Sequence, residues 1–508
     1  MSYSPVLESA FNDTKMRSSK VSPFSGMCSF CTADCLGTCE IGLSAALGSM
    51  MVYPTNTGNN QVAGEKDLPI DYSHFNINGR CFGAIGAPAD ADQATIFNVG
   101  LERTFGKKHP VKTALPLLLP ALIKLNYKDY FAAAAMAGIS CIIGEGARDK
   151  DPQLQFGEDG KIVNFPFLNE TMDCFRKYYR GYGQIVPQCN WEDDMLGVPE
   201  YAVTQCGAEA LEFKFGQSAK GTQPAVRAKT LEDALKSQSR GMIVHPDPSD
   251  PAVQEAYAKG ACPMFWTYSR LPMWTEEYLV KRINGLRELG LKNVYFKMAG
   301  YDRQDLEQVL RIAAAAEVDM VTFDGAGGGS GYSPTKMMNE WGLPAICMEV
   351  ALVEICKKLE AEGLSLPAIT LTGGFSTEDQ VFKALAIGAP YITHVGLCRA
   401  TMAAAMAGEK MGQLLDEGKV PPHLAKYGST KDEIFAELPE LRGLYGEEAD
   451  KMSTGAIGAY SYLKRIAFGL QHFAALNRKF DVKYLDQSDV IPMTRDAKDL
   501  MKGTWFDL

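Results

Sequence analysis

The chain has 508 residues, of which 46% are hydrophobic and 22% are charged, and its formal net charge is −10. This composition is typical of a folded globular protein with a large core. The negative charge argues against a nucleic-acid-binding surface, which needs a basic face. We therefore expect a protein that handles small molecules.

The N-terminal segment, residues 1–80, is rich in Ser, Gly, Asn and Pro and has little hydrophobic periodicity. We expect it to be extended and loop-rich. Its first twenty residues show neither the apolar core nor the cleavage pattern of a secretory signal. The most apolar runs, 115–123 and 131–144, are shorter than the roughly 20 residues that a membrane-spanning helix needs. These observations predict a cytoplasmic protein without a membrane span.

Four cysteines lie close together in this segment, at Cys28, Cys31, Cys35 and Cys39. In a reducing compartment such a group is more typical of a metal site than of disulfides. The C-x2-C-x3-C-x3-C spacing is similar to the compact runs that bind iron–sulfur clusters, whereas structural zinc sites usually separate two C-x2-C pairs by about a dozen residues. We predict a [4Fe-4S] cluster, with zinc or free thiols as the alternatives.

From about residue 110 short apolar runs alternate with helical patterns, as in parallel strands joined by helices. The near-regular intervals from residue 293 onward predict an α/β fold with a TIM-type (β/α)8 barrel over 81–400, followed by a helical C-terminal extension over 401–508. We interpret the less regular stretch 219–290 as a large active-site loop. The predicted strands are 140–146, 210–218, 293–300, 319–329, 368–375 and 391–396, with a helix over 376–389.

Two of these strand ends, 371–379 and 393–399, carry glycines. In an eight-stranded barrel the loops after the last two strands commonly bind a phosphate at a helix N-terminus, where backbone N–H groups face the anion. We predict that Gly373, Gly374 and Gly396 lie against a phosphate and that Ser376 or Thr377 caps the following helix. The alternative is that these glycines only form tight turns.

Lys297 lies at the C-terminal end of an apolar strand. Burial of an unpaired ammonium group costs about several kcal/mol. This side chain must therefore face a polar partner. The partner is either a carboxylate in a structural ion pair or a flavin, whose reduced ring carries negative charge that a lysine stabilises.

The segment VDMVTFDGAGGGSGYSPTKMMNEWGLP (318–344), with LTGGF and HVG after it, resembles the FMN-binding barrel of the glutamate synthases. That family has a Gly-rich loop of the form S/D-G-x-x-G-G-x-G-x-S-P after a strand, which residues 324–334 match. IIGEGA (142–147) is similar to the family's T-G-E-G-G strand end, and EFKFGQSAKG (212–221) to its I-K-x-x-Q-G-A-K-P-G segment. The order and approximate spacing are kept over about 110–400.

The resemblance implies a site at particular residues of this chain. It places Glu145, Lys214 and Gln217 on the substrate side of the FMN ring, with Glu145, Lys214 and Lys297 as the catalytic side chains. The alternative for Glu145 is a strand-end carboxylate that caps a neighbouring helix, and for the Gly-rich loop a flexible turn. The residues implied to bind FMN are Gln217, Lys297, Asp324, Gly325, Gly327, Gly328, Gly373, Gly374 and Gly396.

The chain also departs from the family. It has no room for the glutaminase domain, so we expect it not to release ammonia from glutamine by itself. Only Cys398 occurs in 397–408, where the family has three cysteines for a [3Fe-4S] cluster. The family's 2-oxoglutarate loop is replaced by the aromatic segment 265–278. We therefore expect a different substrate, with the N-terminal cysteines as the route for electrons.

Together these features predict an FMN- and iron–sulfur-dependent oxidoreductase. It would exchange electrons with a ferredoxin-like carrier and transfer hydride to or from a small organic or amino acid. The alternatives are an ammonia-dependent glutamate synthase subunit that works with a partner chain, and a non-catalytic flavoprotein electron carrier. The long C-terminal extension makes a homo-oligomer plausible.

Overall fold

The structure, a computed structural model, describes residues 70–216, 225–262, 264–326 and 341–504 together with the single residue Ala45. Its centre is a closed barrel of eight strands, each of which runs parallel to its two neighbours. Helices connect successive strands around the outside. The predicted (β/α)8 barrel is confirmed.

The strands of the described residues are numbered in chain order. They are β1 (Phe75–Ile77), β2 (Arg103–Phe105), β3 (Val111–Thr113), β4 (Leu117–Leu122), β5 (Ser140–Ile143), β6 (Gln155–Phe156), β7 (Ile162–Asn164), β8 (Ile185–Cys189), β9 (Ala210–Lys214), β10 (Ala225–Ala228), β11 (Ile243–His245), β12 (Phe265–Tyr268), β13 (Asn293–Ala299), β14 (Met320–Asp324), β15 (Ala368–Thr372), β16 (Ile392–Gly396) and β17 (Val490–Pro492).

The helices of the same residues are identified by their bounds. The α-helices are Tyr127–Ala137, Pro166–Arg176, Trp191–Met195, Val198–Thr204, Leu231–Ser239, Pro251–Ala258, Glu276–Glu288, Arg303–Ala315, Ala345–Ala361, Glu378–Ile387, Arg399–Asp416, Lys431–Ile434, Leu438–Tyr445, Thr454–Leu476 and Arg495–Met501. The 3-10 helices are Tyr72–His74, Ile96–Asn98, Ala147–Lys150, Gly446–Lys451, Val482–Tyr484 and Gln487–Asp489.

The barrel strands follow one another in the order β4, β5, β8, β9, β13, β14, β15 and β16, and β16 pairs with β4 to close the barrel. Six of these strands match predicted ones, whereas β4 and β8 were not predicted. Both contain a proline, Pro120 in β4 and Pro187 in β8, which is unusual inside a sheet. In addition, periodicity alone does not distinguish a short apolar run in a strand from one in a helix.

The interior of the barrel is apolar at its amino end and polar at its carboxyl end. The hairpin of β2 and β3 supplies Phe105 and Val111 to the apolar half and thereby fills the amino end. The polar half includes Gln188, Glu212 and Lys297, all buried. The barrel residues that pack with the hairpin are Leu118, Ile142, Val186, Ala210, Tyr295 and Met320.

His394 on β16 lies at the filled amino end and is buried. Its Nε2 is 3.1 Å from Thr113 Oγ1, its Nδ1 is 2.9 Å from Thr393 Oγ1, and the ring of Phe105 meets it edge-on at 5.4 Å. Burial, and to a smaller extent the charge of Arg103, lowers the pKa of His394 to about 3. The imidazole is therefore neutral at physiological pH.

This histidine should make the fold sensitive to acid. Its folded-state pKa lies below the ordinary value of 6.5, so the unfolded chain binds the proton first as pH falls. Its contribution to the free energy of unfolding is fully present above pH 6.5 and is lost down to about pH 3, with ~2 kcal/mol lost between pH 6.5 and 5. Denaturant titrations should show this loss in the wild type and a shallower loss in His394→Gln. Equal pH dependences would contradict the assignment.

The stretch predicted as a large loop, 219–290, is different in the structure. Its described part contains an antiparallel sheet in the order β10, β12, β11, with the helices Leu231–Ser239 and Pro251–Ala258. A small core holds it together, formed by Ala228, Ala234, Val244 and Phe265. The loop interpretation was therefore wrong for these residues, because short amphipathic strands with prolines between them look irregular in sequence.

The chain after β16 is mostly helical, as predicted. The helix Arg399–Asp416 crosses the predicted boundary at residue 400 and packs against Thr454–Leu476, where Gly408 and Gly458 allow close approach. Strand β17 returns to pair with β1, which lies inside the predicted N-terminal segment. The domain boundaries remain predictions. No helix of the described residues is long and apolar enough to cross a bilayer.

Candidate active site

A cavity of about 350 Å³ lies at the carboxyl end of the barrel. Active sites of TIM barrels lie at this end, and ligand-binding cavities commonly have volumes of about 300–1,000 Å³. The predicted site residues that line the cavity are Lys297, Asp324, Gly373, Gly374 and Gly396. The structure thus brings together residues from four strands that were named separately from the sequence.

The loop after β15 needs glycine at its turn. Gly373 has φ +125° and Gly374 has φ +100°, a region that other residues rarely adopt. A Cβ on Gly373 would also lie 2.7 Å from the backbone nitrogen of Gly325. Helix Glu378–Ile387 begins directly afterwards with Thr377 as its N-cap, which confirms that part of the prediction. At these two glycines the loop therefore presents backbone to the cavity, and Phe375 and Ser376 after them line it as well.

Gly325 has a different position from Gly373, Gly374 and Gly396. It is not among the residues that line the cavity, and a Cβ there would lie 2.5 Å from the Cα of Ala345 at the start of helix Ala345–Ala361. Close packing against this helix accounts for the glycine. Its predicted contact with FMN remains a prediction.

Lys297 on β13 is 3% exposed, and its Nζ lies 3.8 Å from Oδ2 of Asp324 at the end of β14. Burial on its own would lower the pKa of Lys297, but the charges of Asp324 and then Glu212 outweigh it and raise that pKa. The ammonium group is therefore charged, and it both pairs with a carboxylate and faces the cavity. The two sequence interpretations of Lys297 are compatible with each other.

Lys214 and Glu145 form a second buried ion pair beside the first. Lys214 Nζ hydrogen-bonds Glu145 Oε1, and the two side chains are 2% and 13% exposed. Lys214 on β9 is in register with Lys297 on β13. Because inward positions of adjacent strands are neighbours, the two ammonium groups lie side by side, each with its own carboxylate.

The aromatic segment 265–278 supports this part of the barrel. Trp274 Nε1 donates a hydrogen bond to the carbonyl oxygen of Lys214 at 3.0 Å. The Trp274 ring also packs edge-on against Trp191 and Phe213, at centroid distances of 4.9 and 5.8 Å. Trp274 therefore fixes the end of β9 and with it the position of Lys214.

Two residues at the site were missed in the sequence. Arg399, in the first turn of helix Arg399–Asp416, lines the same cavity as Gly373 and Gly374. Its signal was its place three residues after the strand-end segment HVG. Glu212, two residues before Lys214, faces the barrel interior on the same strand, and strand alternation predicts that shared face.

Several predicted residues lie outside the described part of the chain. These are Cys28, Cys31, Cys35 and Cys39 of the predicted cluster, and Gln217, Gly327 and Gly328 of the predicted FMN site. Among the described residues, no group of three or more His, Cys, Asp or Glu side chains is placed to hold a metal ion.

Comparison with known proteins supports part of the resemblance. Residues 270–408 match the family described as conserved region in glutamate synthase. A 75-residue segment is 36% identical to the archaeal-type glutamate synthase [NADPH] of Dehalococcoides mccartyi. That match covers 15% of this chain and 14% of the relative, so the chain spans only a small part of that protein's length.

Solved structures with a similar chain trace include a soluble mutant of the membrane-associated (S)-mandelate dehydrogenase from Pseudomonas putida. It is 13% identical, with a TM-score of 0.44 and coverage of 83% of this chain and 88% of that one. A mandelate oxidase mutant with a monooxide FMN adduct is also 13% identical, with a TM-score of 0.41 and coverage of 81% and 86%. The barrel assignment rests on the strand pairing described above. The glutamate synthase resemblance is confirmed over residues 270–408.

Proposed function

We propose that the protein is an FMN-dependent oxidoreductase that acts on a small organic or amino acid. The observation that carries the proposal is the cavity at the carboxyl end of the barrel, where Lys297 and the glycine loops after β15 and β16 meet. The matched family region, 270–408, contains all of these residues. Each end of an FMN molecule finds suitable chemistry there.

The phosphate end would lie against the loops after β15 and β16. Gly373 and Gly374 present backbone N–H groups, and Arg399 brings a guanidinium group at the start of an 18-residue helix. Helix N-termini and guanidinium groups are both favourable for a phosphate. The ring end would lie near Lys297, whose charge favours the reduced flavin. When bound, FMN supplies the capacity to accept and deliver hydride.

Glu145 and Lys214 would bind the substrate and move its proton. A lysine that lies beside a carboxylate can hold a substrate carboxylate and return a proton to the amine or imine nitrogen. Both groups are held by neighbouring elements: Lys214 by the Trp274 contact at the end of β9, and Glu145 by its place directly after β5. We therefore propose an amino acid or 2-imino acid as the substrate class.

Electron exchange would use the N-terminal cysteines. We propose that Cys28, Cys31, Cys35 and Cys39 hold a [4Fe-4S] cluster that receives electrons from, or passes them to, a ferredoxin-like carrier in the cytoplasm. The support is the spacing of the four cysteines, which is compact as in iron–sulfur proteins. Zinc at the same cysteines is the alternative.

A second candidate function is an ammonia-dependent glutamate synthase subunit that works with a partner chain. The match of residues 270–408 to the conserved region in glutamate synthase favours it. A non-catalytic electron carrier is less well supported, because such a protein has no use for the Lys214–Glu145 pair beside the cavity. Reoxidation of the reduced protein by 2-oxoglutarate with ammonia, compared with other 2-oxo acids, separates the first two candidates.

Anaerobically purified protein should contain about one FMN per chain and about four irons per chain. The sequence motifs describe one phosphate pocket, which predicts FMN rather than FAD, and heat release followed by chromatography identifies the flavin. Metal analysis of the same sample distinguishes [4Fe-4S] from zinc. Recovery of FAD or of no flavin would contradict the proposed cofactor. About one zinc with no iron would contradict the electron route but leave the flavin proposal intact.

A further inference from the structure

Glu212 lies inside the barrel, beneath the two lysines, and its side chain is 0% exposed. Gln188 on the neighbouring strand β8 donates a hydrogen bond from Nε2 to Glu212 Oε1 at 2.5 Å. Among the described residues, Glu212 Oε2 has no hydrogen-bond partner, and neither do Gln188 Oε1 and Thr322 Oγ1. An unpartnered buried carboxylate oxygen is costly, so Oε2 is a favourable place for a proton.

The charges around Glu212 are unbalanced. The groups that face it are Lys297 and Tyr295 on β13, Lys214 on its own strand and Glu145 after β5. With Asp324 included and every carboxyl group ionised, three carboxylates face two ammonium groups, which leaves one negative charge. Protonation of Glu212 removes that charge without breaking either lysine ion pair.

We propose that Glu212 is a positioning residue that binds a proton at Oε2 when negative charge develops in the cavity, so that Lys297 stabilises the new charge in place of the charge of Glu212. This inference rests on the proposed flavin function. Two-electron reduction with uptake of one proton leaves one negative charge on the flavin. A second proton, taken from solvent, converts the Glu212 carboxylate to the carboxylic acid, and no bond to the flavin is formed.

The pH range follows from the surroundings of Glu212. Burial raises its pKa to about 7, although Lys297 and the hydrogen bond from Gln188 oppose the rise. Negative charge near Lys297 raises this pKa further, because like charges disfavour ionisation. Reduction therefore takes up the additional proton above about pH 7, where the carboxyl group is ionised before reduction. Below that pH it is already protonated and contributes nothing.

The test is the midpoint potential of the flavin in the full-length protein, measured from pH 6 to pH 9. In the wild type the slope of potential against pH should double above about pH 7, because two protons rather than one accompany two electrons. In Glu212→Gln the slope should keep the single-proton value throughout. The matched control is Glu349→Gln, a fully buried carboxyl group outside the barrel that Tyr72 hydrogen-bonds at 2.6 Å. The control should retain the doubled slope.

A second measurement needs no variant. Infrared difference spectra of wild-type protein at pH 8 should gain the carbonyl band of a protonated carboxylic acid on flavin reduction. Absence of this band, or equal slopes in the wild type and Glu212→Gln, would overturn the inference and leave the proposed function standing. Wild-type protein that binds no flavin would overturn the proposed function, and the inference with it.

Discussion

Replacement of Lys214 by methionine should slow reoxidation of the reduced flavin by a 2-imino acid by about 100-fold or more, the range of general acid–base catalysis. Methionine keeps the apolar length of the side chain but has no proton to give and no charge to hold a substrate carboxylate. Reoxidation by an artificial dye, which needs neither, should change less than about twofold. Rapid mixing with the 2-oxo acid that, together with ammonia, reoxidises the wild-type protein fastest, and separately with the dye, measures both rates.

Stability must be separated from catalysis in this experiment, because Lys214 belongs to a buried ion pair. Removal of one partner of such a pair costs about 3–5 kcal/mol, since the other charge remains buried and unpaired. The double variant Lys214→Met/Glu145→Gln should therefore recover part of the lost stability without recovering the imino-acid rate. If the double variant regained the rate as well, the pair would be structural and the proposed catalytic role wrong.

Replacement of Lys297 by methionine should lower the midpoint potential of the flavin by about 30 mV or more. The ammonium group stabilises the reduced, negatively charged flavin more than the oxidised one, and 30 mV corresponds to about 1.4 kcal/mol for two electrons. Binding of oxidised FMN should weaken much less than binding of reduced FMN. Redox titration with a reference dye and fluorescence titration with FMN measure the two effects.

The matched control for this variant is Lys383→Met. Lys383 is also buried and also pairs with an aspartate, Asp379, at 3.1 Å, but it belongs to helix Glu378–Ile387 and does not line the cavity. It should change stability and leave the potential unaltered. An unchanged potential in Lys297→Met would show that Lys297 serves only its ion pair with Asp324.

Much of the barrel could be predicted because its later strands have simple sequence signals. β13 to β16 are apolar runs at near-regular intervals; β14, β15 and β16 end in Asp324, Thr372 and Gly396, and Gly300 follows β13 directly. β4 and β8 lacked this signal, since Pro120 and Pro187 interrupt them. The antiparallel sheet of β10, β11 and β12 could not be predicted either, because its short strands pair with each other and not with the barrel.

The site was predictable where a residue stands at a strand end. Lys297, Asp324 and Gly373 all do, and the structure places them around one cavity. Glu212 was missed because it lies in the middle of a strand, where a carboxylate gives no motif. Its neighbours become visible only when the register of β8, β9 and β13 is known. Burial and charge balance, unlike motifs, are properties of the folded chain.

The two ion pairs divide the barrel into two arcs. Lys297 and the glycine loops belong to β13–β16, one continuous stretch of chain. Lys214 ends β9 and Glu145 follows β5, and the extra antiparallel sheet is inserted after β9. Trp274, which follows that insertion, reaches back to the Lys214 carbonyl. On the proposed function, changes in the inserted segment would alter the substrate arc and leave the flavin arc untouched. Substitutions in this one inserted segment could thus change the substrate during evolution without changing the residues of β13–β16 that would bind the cofactor.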